Sequence, residues 1–159
     1  MPKRPHGTGR GLARPAAVFV DSSAWIALFS ARDRHHAEVE QAFHLAAAGT
    51  GAIRFVTTIL VLSEVHRFQL FHAGMAAAAR ALDAIDASRL VRVAFPTAHH
   101  HAAARRWLVK LADQPISYVD AVSFAFMETE RMRWALTLDH HFTVAGFDLW
   151  QHGAAAWSR

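Results

Sequence analysis

From Ala17 onward the chain alternates short, wholly apolar runs with longer stretches in which apolar side chains return every three or four residues. Buried strands joined by amphipathic helices produce this pattern. Strands are expected at residues 17–20, 53–57, 90–95, 133–138 and 147–150, and helices at 22–29, 34–48, 58–72, 75–87, 97–111 and 118–130, with a short turn at 140–144. The punctuation agrees with these bounds. Asp33 is placed to cap the second helix and Gly49 and Gly51 to end it, Gly74 separates the third helix from the fourth, and Asp113-Gln114-Pro115 breaks the chain before Ser117 opens the last long helix. Strands that alternate with helices predict an α/β fold built on a parallel sheet, here of five strands.

A chain of 159 residues with 53% hydrophobic content has the size of one domain. It divides into a basic N-terminal extension at 1–16, a folded body at 17–152 and a tail at 153–159. No cysteine is present, so neither disulfides nor a thiolate metal site holds the core, which fits a reducing, cytoplasmic setting. The formal charge of +4 is unevenly placed: Lys3, Arg4, Arg10 and Arg14 lie in the extension, and the remaining 13 basic side chains face 13 acids in the body. Asp21 ends the apolar AAVFV run too early for a signal peptide, and no uncharged apolar run reaches the roughly 18 residues of a membrane span.

Within the neutral body, four acids stand out by their surroundings. Asp21 ends the strand VFV and Asp139 ends the strand LTL; in an open α/β sheet, ligands bind outside the carboxyl ends of strands. Glu64 lies among Leu62 and Val65 in one helix, and Asp120 lies in the first turn of another. Each acid singly has an ordinary role, as a helix cap or part of the capping box that Ser117 opens. Glu64 fits such a role least, because a carboxylate among large apolar residues is rarely buried without a partner. If the four converge, carboxylates about 4 Å apart repel by roughly 4 kcal/mol per pair at an effective dielectric near 20. A cation or shared protons must then offset the repulsion. Oxygen-only ligands favour Mg²⁺ or Mn²⁺, ions that retain waters, lower a water's pKa and stabilise charge on a phosphate. The chemistry that follows is metal-assisted phosphodiester hydrolysis.

FVDSSAWIALF, TTILVLSEV, ISYVDAVSFAFM and LTLDHHF, in that order, resemble the four acidic blocks of PIN-domain nucleases, most closely the VapC-type toxins of bacterial toxin–antitoxin pairs. The resemblance spans residues 18 to 150. It implies a three-layer α/β/α sandwich with a five-stranded parallel sheet, Mg²⁺- or Mn²⁺-dependent cleavage of single-stranded or looped RNA, a cognate VapB-like antitoxin and a homodimer. By motif, Asp21 and Asp120 take the positions of the principal metal ligands, and Glu64 and Asp139 complete the site directly or through water. Ser22 and Ser117 take small polar positions that support it. Trp25, Leu28 and Phe29 fall in the region that contributes to an antitoxin groove. Two positions depart from the pattern: His140-His141 follow Asp139 where arginine is commoner, and Val119 stands where threonine often precedes the third acid.

The twelve histidines contain no HExxH or zinc-finger spacing. His35-His36 and His99-His100-His101 are expected on the solvated surface, and His140 and His141 to contact phosphate or support Asp139. Most aromatics, Phe124, Phe126 and Trp134 among them, are expected in the core. Arg32, Arg34, Arg67, Arg105 and Arg106 are candidate phosphate contacts. Two other classes fit the residues less well. DSS lacks the second aspartate of a haloacid-type phosphatase, and a PIN-like module that binds RNA or a partner without cutting gains nothing from four retained carboxylates.

Overall fold

A computed structural model describes residues 15–48 and 53–153. The basic segment up to residue 14, the glycines expected to end the second helix and the last six residues lie outside the described residues. The element order is β1 (Ala17–Val20), α1 (Ser22–Phe29), α2 (His36–Ala47), β2 (Arg54–Thr58), α3 (Ile59–Ala73), α4 (Met75–Ala87), β3 (Val91–Ala94), α5 (Ala98–Lys110), α6 (Tyr118–Thr129), β4 (Trp134–Leu136), α7 (His141–Val144), β5 (Asp148–Leu149) and α8 (Trp150–Gly153). All five strands join one parallel sheet in the order β3-β2-β1-β4-β5.

The register explains the layers. Val18 sits opposite Phe55 and Phe19 opposite Val56, and successive strand side chains point to opposite faces. Phe19 and Phe55 therefore leave the sheet on different sides. Phe19 meets Phe126 of α6 and Phe142 of α7, each with ring centroids 6.1 Å apart. Phe55 meets Phe43 of α2 at 4.3 Å. Helices cover both faces, with α5 packed on α6, and α1 packed on α2 and α3 while α3 packs on α4. Among the described residues no helix is long and apolar enough to cross a membrane.

Several boundaries moved for local reasons. Asp33 accepts a hydrogen bond from the His35 amide at 2.8 Å, so it organises the turn before α2 and the helix begins at His36. Trp150 starts a terminal helical turn in place of ending β5; its buried indole donates to the Ala42 carbonyl at 3.2 Å, which anchors the end of the chain to α2. Arg131 adopts a positive φ of 54° just past α6. There the Arg131 amide donates to the Glu128 carbonyl and the Met132 amide to Met127, closing the helix and turning the chain into β4.

The strand order also fixes where a ligand belongs. Winding runs from β1 to β2 and β3 on one side, then returns to β4 and β5 on the other. A crevice opens at this switch point, beyond the carboxyl ends of β1 and β4.

Candidate active site

Asp21 occupies that crevice as the residue after β1 and the N-cap of α1. It is 3% exposed, and its Oδ2 accepts from the Ser23 amide at 3.2 Å, the Ser23 hydroxyl at 2.7 Å and the Thr137 hydroxyl at 3.1 Å. A hydroxyl has one proton. Ser23 and Thr137 each donate theirs to Asp21, and use a lone pair to accept from the Leu138 amide at 2.9 Å and the Asp139 amide at 3.0 Å. These two hydroxyls therefore tie the end of β1 to the loop that leaves β4.

The nearest hydroxyl to the other oxygen of Asp21, Oδ1, among the described residues is that of Ser22, at 3.5 Å, and it lies 2.7 Å from Glu64 Oε2, to which it donates; the Ser22 amide also bonds the Asp21 carboxyl. Burial pushes the Asp21 carboxyl above its ordinary pKa; the Ser23 hydroxyl opposes the shift and the charge of Asp120 adds to it. Glu64, half-buried on α3, is raised by burial first, lowered by Ser22, and raised again by the charges of Asp21 and Asp120. Asp120 lies in the first turn of α6, where it accepts from the Ser117 amide at 2.7 Å while its own amide donates to Ser117 Oγ at 3.0 Å. That capping box holds the third carboxylate toward the other two.

Asp139 is placed differently. Its Oδ1 accepts from the amide of His141 at 2.9 Å, and His141 Nδ1 lies 2.8 Å from the same oxygen. The charges that raise Asp21 and Glu64 do not include Asp139. His140, expected to support the site, is exposed with Nδ1 3.6 Å from Asp139, so His141 is the closer partner. Among the described residues, Asp139, His140 and His141 are the one His/carboxylate group whose ligand atoms all lie within 4.8 Å of one another. Asp21, Glu64 and Asp120 stand wider apart than that. Their mutual repulsion acts in that direction.

Three other expectations need correction. Trp25 is 3% exposed, stacked between Phe29 and Phe43 with its indole directed at Thr57. It is core, and only the half-buried Leu28 and Phe29 remain open to a partner. His100 is 7% exposed and accepts from the Thr97 amide at 2.9 Å, so it caps α5 and does not lie on the solvated surface. His36, half-buried, donates from Nδ1 to the Ala27 carbonyl at 2.9 Å and fastens α2 to α1. Phe124, Phe126 and Trp134 are buried, as their spacing predicts.

A divalent cation fits the residues present. The donor set is oxygen, the nearest side-chain donor to one oxygen of the buried Asp21 carboxyl is a hydroxyl at 3.5 Å, and among the described residues no lysine or arginine pairs with any of the four acids. Mg²⁺ retains several waters and needs only one or two direct carboxylates, which suits acids spaced this widely.

Residues 18–148 match the PIN-domain family. The chain belongs to that family. The 23S rRNA-specific endonuclease VapC20 of Mycobacterium tuberculosis, in strains CDC 1551 / Oshkosh and H37Rv, is 35% identical over 130 residues, covering 82% of this chain and 95% of VapC20. The crystal structure of VapC20 from the same species, described as a sarcin–ricin loop cleaving toxin, matches with a TM-score of 0.72 and 34% identity over 82% of this chain and 96% of that one. Within the PIN domains, the chain is therefore of the VapC type.

Proposed function

We propose that this chain is a Mg²⁺- or Mn²⁺-dependent endoribonuclease that cuts a looped segment of ribosomal RNA and acts as the toxin of a VapBC-type pair in the cytoplasm. The observation that carries the reading is the meeting of Asp21, Glu64 and Asp120 from the end of β1, α3 and α6, two of them with raised pKa values and none with a basic partner among the described residues. Asp21 and Asp120 would hold the ion, with Glu64 and Asp139 completing its surroundings directly or through water. When bound, the ion supplies a Lewis acid that stabilises charge on the scissile phosphate and activates water. Ser22 orients Glu64, Ser23 and Thr137 hold Asp21 through its Oδ2, and Ser117 orients Asp120. The likeness to VapC20 supports ribosomal RNA as the substrate class and a VapB-type antitoxin as the partner; the homodimer rests on the family resemblance alone.

Purified, antitoxin-free protein is expected to fragment ribosomal RNA with Mg²⁺ or Mn²⁺ and to leave it intact in EDTA. RNA binding without fragments across a broad substrate panel would instead establish a non-cleaving module.

Thr137 is the clearest positioning residue. Thr137→Val removes the hydroxyl at nearly constant volume, and loss of such an outer hydrogen bond weakens metal binding by roughly 10- to 100-fold. The metal concentration for half-maximal cleavage should rise by that factor, with Thr137→Ser restoring it. An unchanged metal dependence in Thr137→Val would remove Thr137 from this role.

A further inference from the structure

Beyond the acids, α3 carries a second regular feature. Glu64, Arg67, Phe68, Phe71 and His72 recur at i, i+3, i+4, i+7 and i+8, which places them on one stripe of the helix. That stripe is separate from the core face of α3, formed by Val61, Leu62, Val65 and Gln69. It borders a groove of about 440 Å³ that begins beside Ser22 and Glu64, passes Ile26 of α1 and ends at Phe71 and His72. Phe71 is 74% exposed. The rings of Phe68 and His72 stack with centroids 3.9 Å apart at 12°, locked by a hydrogen bond from His72 Nδ1 to the Phe68 carbonyl at 2.8 Å. Arg67 is exposed and takes part in none of the ion pairs among the described residues.

We infer that this groove is a nucleobase subsite: it holds the unpaired nucleotide next to the bond that is cut, its base stacked on Phe71 and the Phe68–His72 pair and its phosphate on Arg67. The inference rests on the nuclease reading of the acid cluster. Three features favour RNA over an apolar protein segment as occupant. The groove is continuous with the acid cluster, because Ser22 and Glu64 belong to both. Seven residues of helix rise, about 10 Å, separate Glu64 from Phe71, within reach of an adjoining nucleotide. A cation beside flat aromatic faces is also the combination that single-stranded nucleic acid uses, charge for the backbone and stacking for bases. The carboxylates repel phosphate, so the flanking phosphate is held at Arg67, beyond them. Stacking tolerates any base, and the subsite accordingly selects for unpaired over paired RNA and not for sequence.

The test is the binding of a short fluorescein-labelled single-stranded RNA to the full chain in EDTA, read by anisotropy, beside cleavage of the same RNA in Mn²⁺. Phe71 is exposed, so its replacement does not disturb the fold, and circular dichroism of each variant checks this. Phe71→Ala should weaken binding about tenfold, Phe71→Trp should keep it, and Phe71→Leu should behave like alanine because it preserves apolar area but not a π face. Arg67→Gln should weaken binding and lower the salt slope by about 0.7, the loss of one phosphate contact to a single strand. Wild-type affinity in Phe71→Ala or Phe71→Leu overturns the subsite, the latter pointing to a protein segment as occupant. If that happens while Mn²⁺ still yields fragments, only the subsite fails; if wild-type protein binds with the expected pattern but never cuts, the nuclease reading fails instead.

Discussion

Replacing Asp120 by asparagine is expected to lower metal-dependent RNA cleavage by at least about a thousandfold while the protein stays folded. The size follows from the role: loss of a ligand that places the cation removes several kcal/mol of charge stabilisation, and each 1.36 kcal/mol is a factor of ten in rate. The fold should survive because asparagine retains an acceptor for the Ser117 amide, and Asp120 is partly exposed at a helix end. Asp21→Asn should lose activity to the same degree, since Asn Oδ1 can take over the three bonds that Asp21 Oδ2 receives, while the ligating oxygen becomes an amide nitrogen. Cleavage time courses at saturating Mn²⁺ check both variants. Either one cutting at the wild-type rate would remove that carboxylate from the site.

The second large effect concerns stability in the absence of metal. Asp21 and Glu64 have folded pKa values above their ordinary 3.8 and 4.5. A carboxyl with a raised folded pKa contributes stability that is full below its unfolded value and is lost as pH rises through its folded value. In EDTA the wild-type protein should therefore lose stability, through these two groups, as pH rises from about 4 past the raised values. For the buried Asp21, a tenfold weaker acid in the folded state corresponds to about 1.4 kcal/mol, or roughly 4 °C in Tm for a domain of this size; the half-exposed Glu64 contributes less because solvent screens it. Asp21→Asn removes the buried charge and its repulsion from Asp120 and Glu64. Its Tm in EDTA should match wild type at acid pH and exceed it near neutrality. A wild-type curve parallel to that of Asp21→Asn across this range would show that Asp21 carries no such burden.

How far residues foretell this molecule depends on whether their role is local. The existence and order of the strands, the stop at Gly74 and the Ser117 capping box were readable because β-branched runs, a glycine and a serine act within a few positions. The four acids were readable for the same reason, each marked by what flanks it. The hydroxyls that organise them were not. Thr137 reaches across 116 positions of chain to Asp21 and Ser23 across 115 to Leu138, and nothing near either residue announces that contact. Trp25 shows a different limit. In SSAWIALF nearly every residue after the serines is apolar, so no periodicity tells which face turns inward, and tertiary packing alone put Trp25 in the core. His100 was recoverable: with Ala103, Ala104 and Trp107 it makes an i, i+3, i+4, i+7 stripe on α5, masked by the histidines on either side. Asp139 is marked as clearly as Asp21, yet one of its oxygens is taken by a local pair with His141 that the sequence around it does not announce.

The carboxylates at the end of β1 and on α3 and α6 are expected to hold a divalent cation. The direct measurement is the thermal shift that Mn²⁺ produces near neutral pH in wild type and in Asp21→Asn, because a ligand that binds only the folded state stabilises it by mass action. Wild type should gain Tm with rising Mn²⁺, by an amount that shrinks as pH falls and protons reclaim Asp21 and Glu64, while Asp21→Asn should show little or none of the gain. An equal Mn²⁺ shift in the two proteins, or none in either, would contradict it.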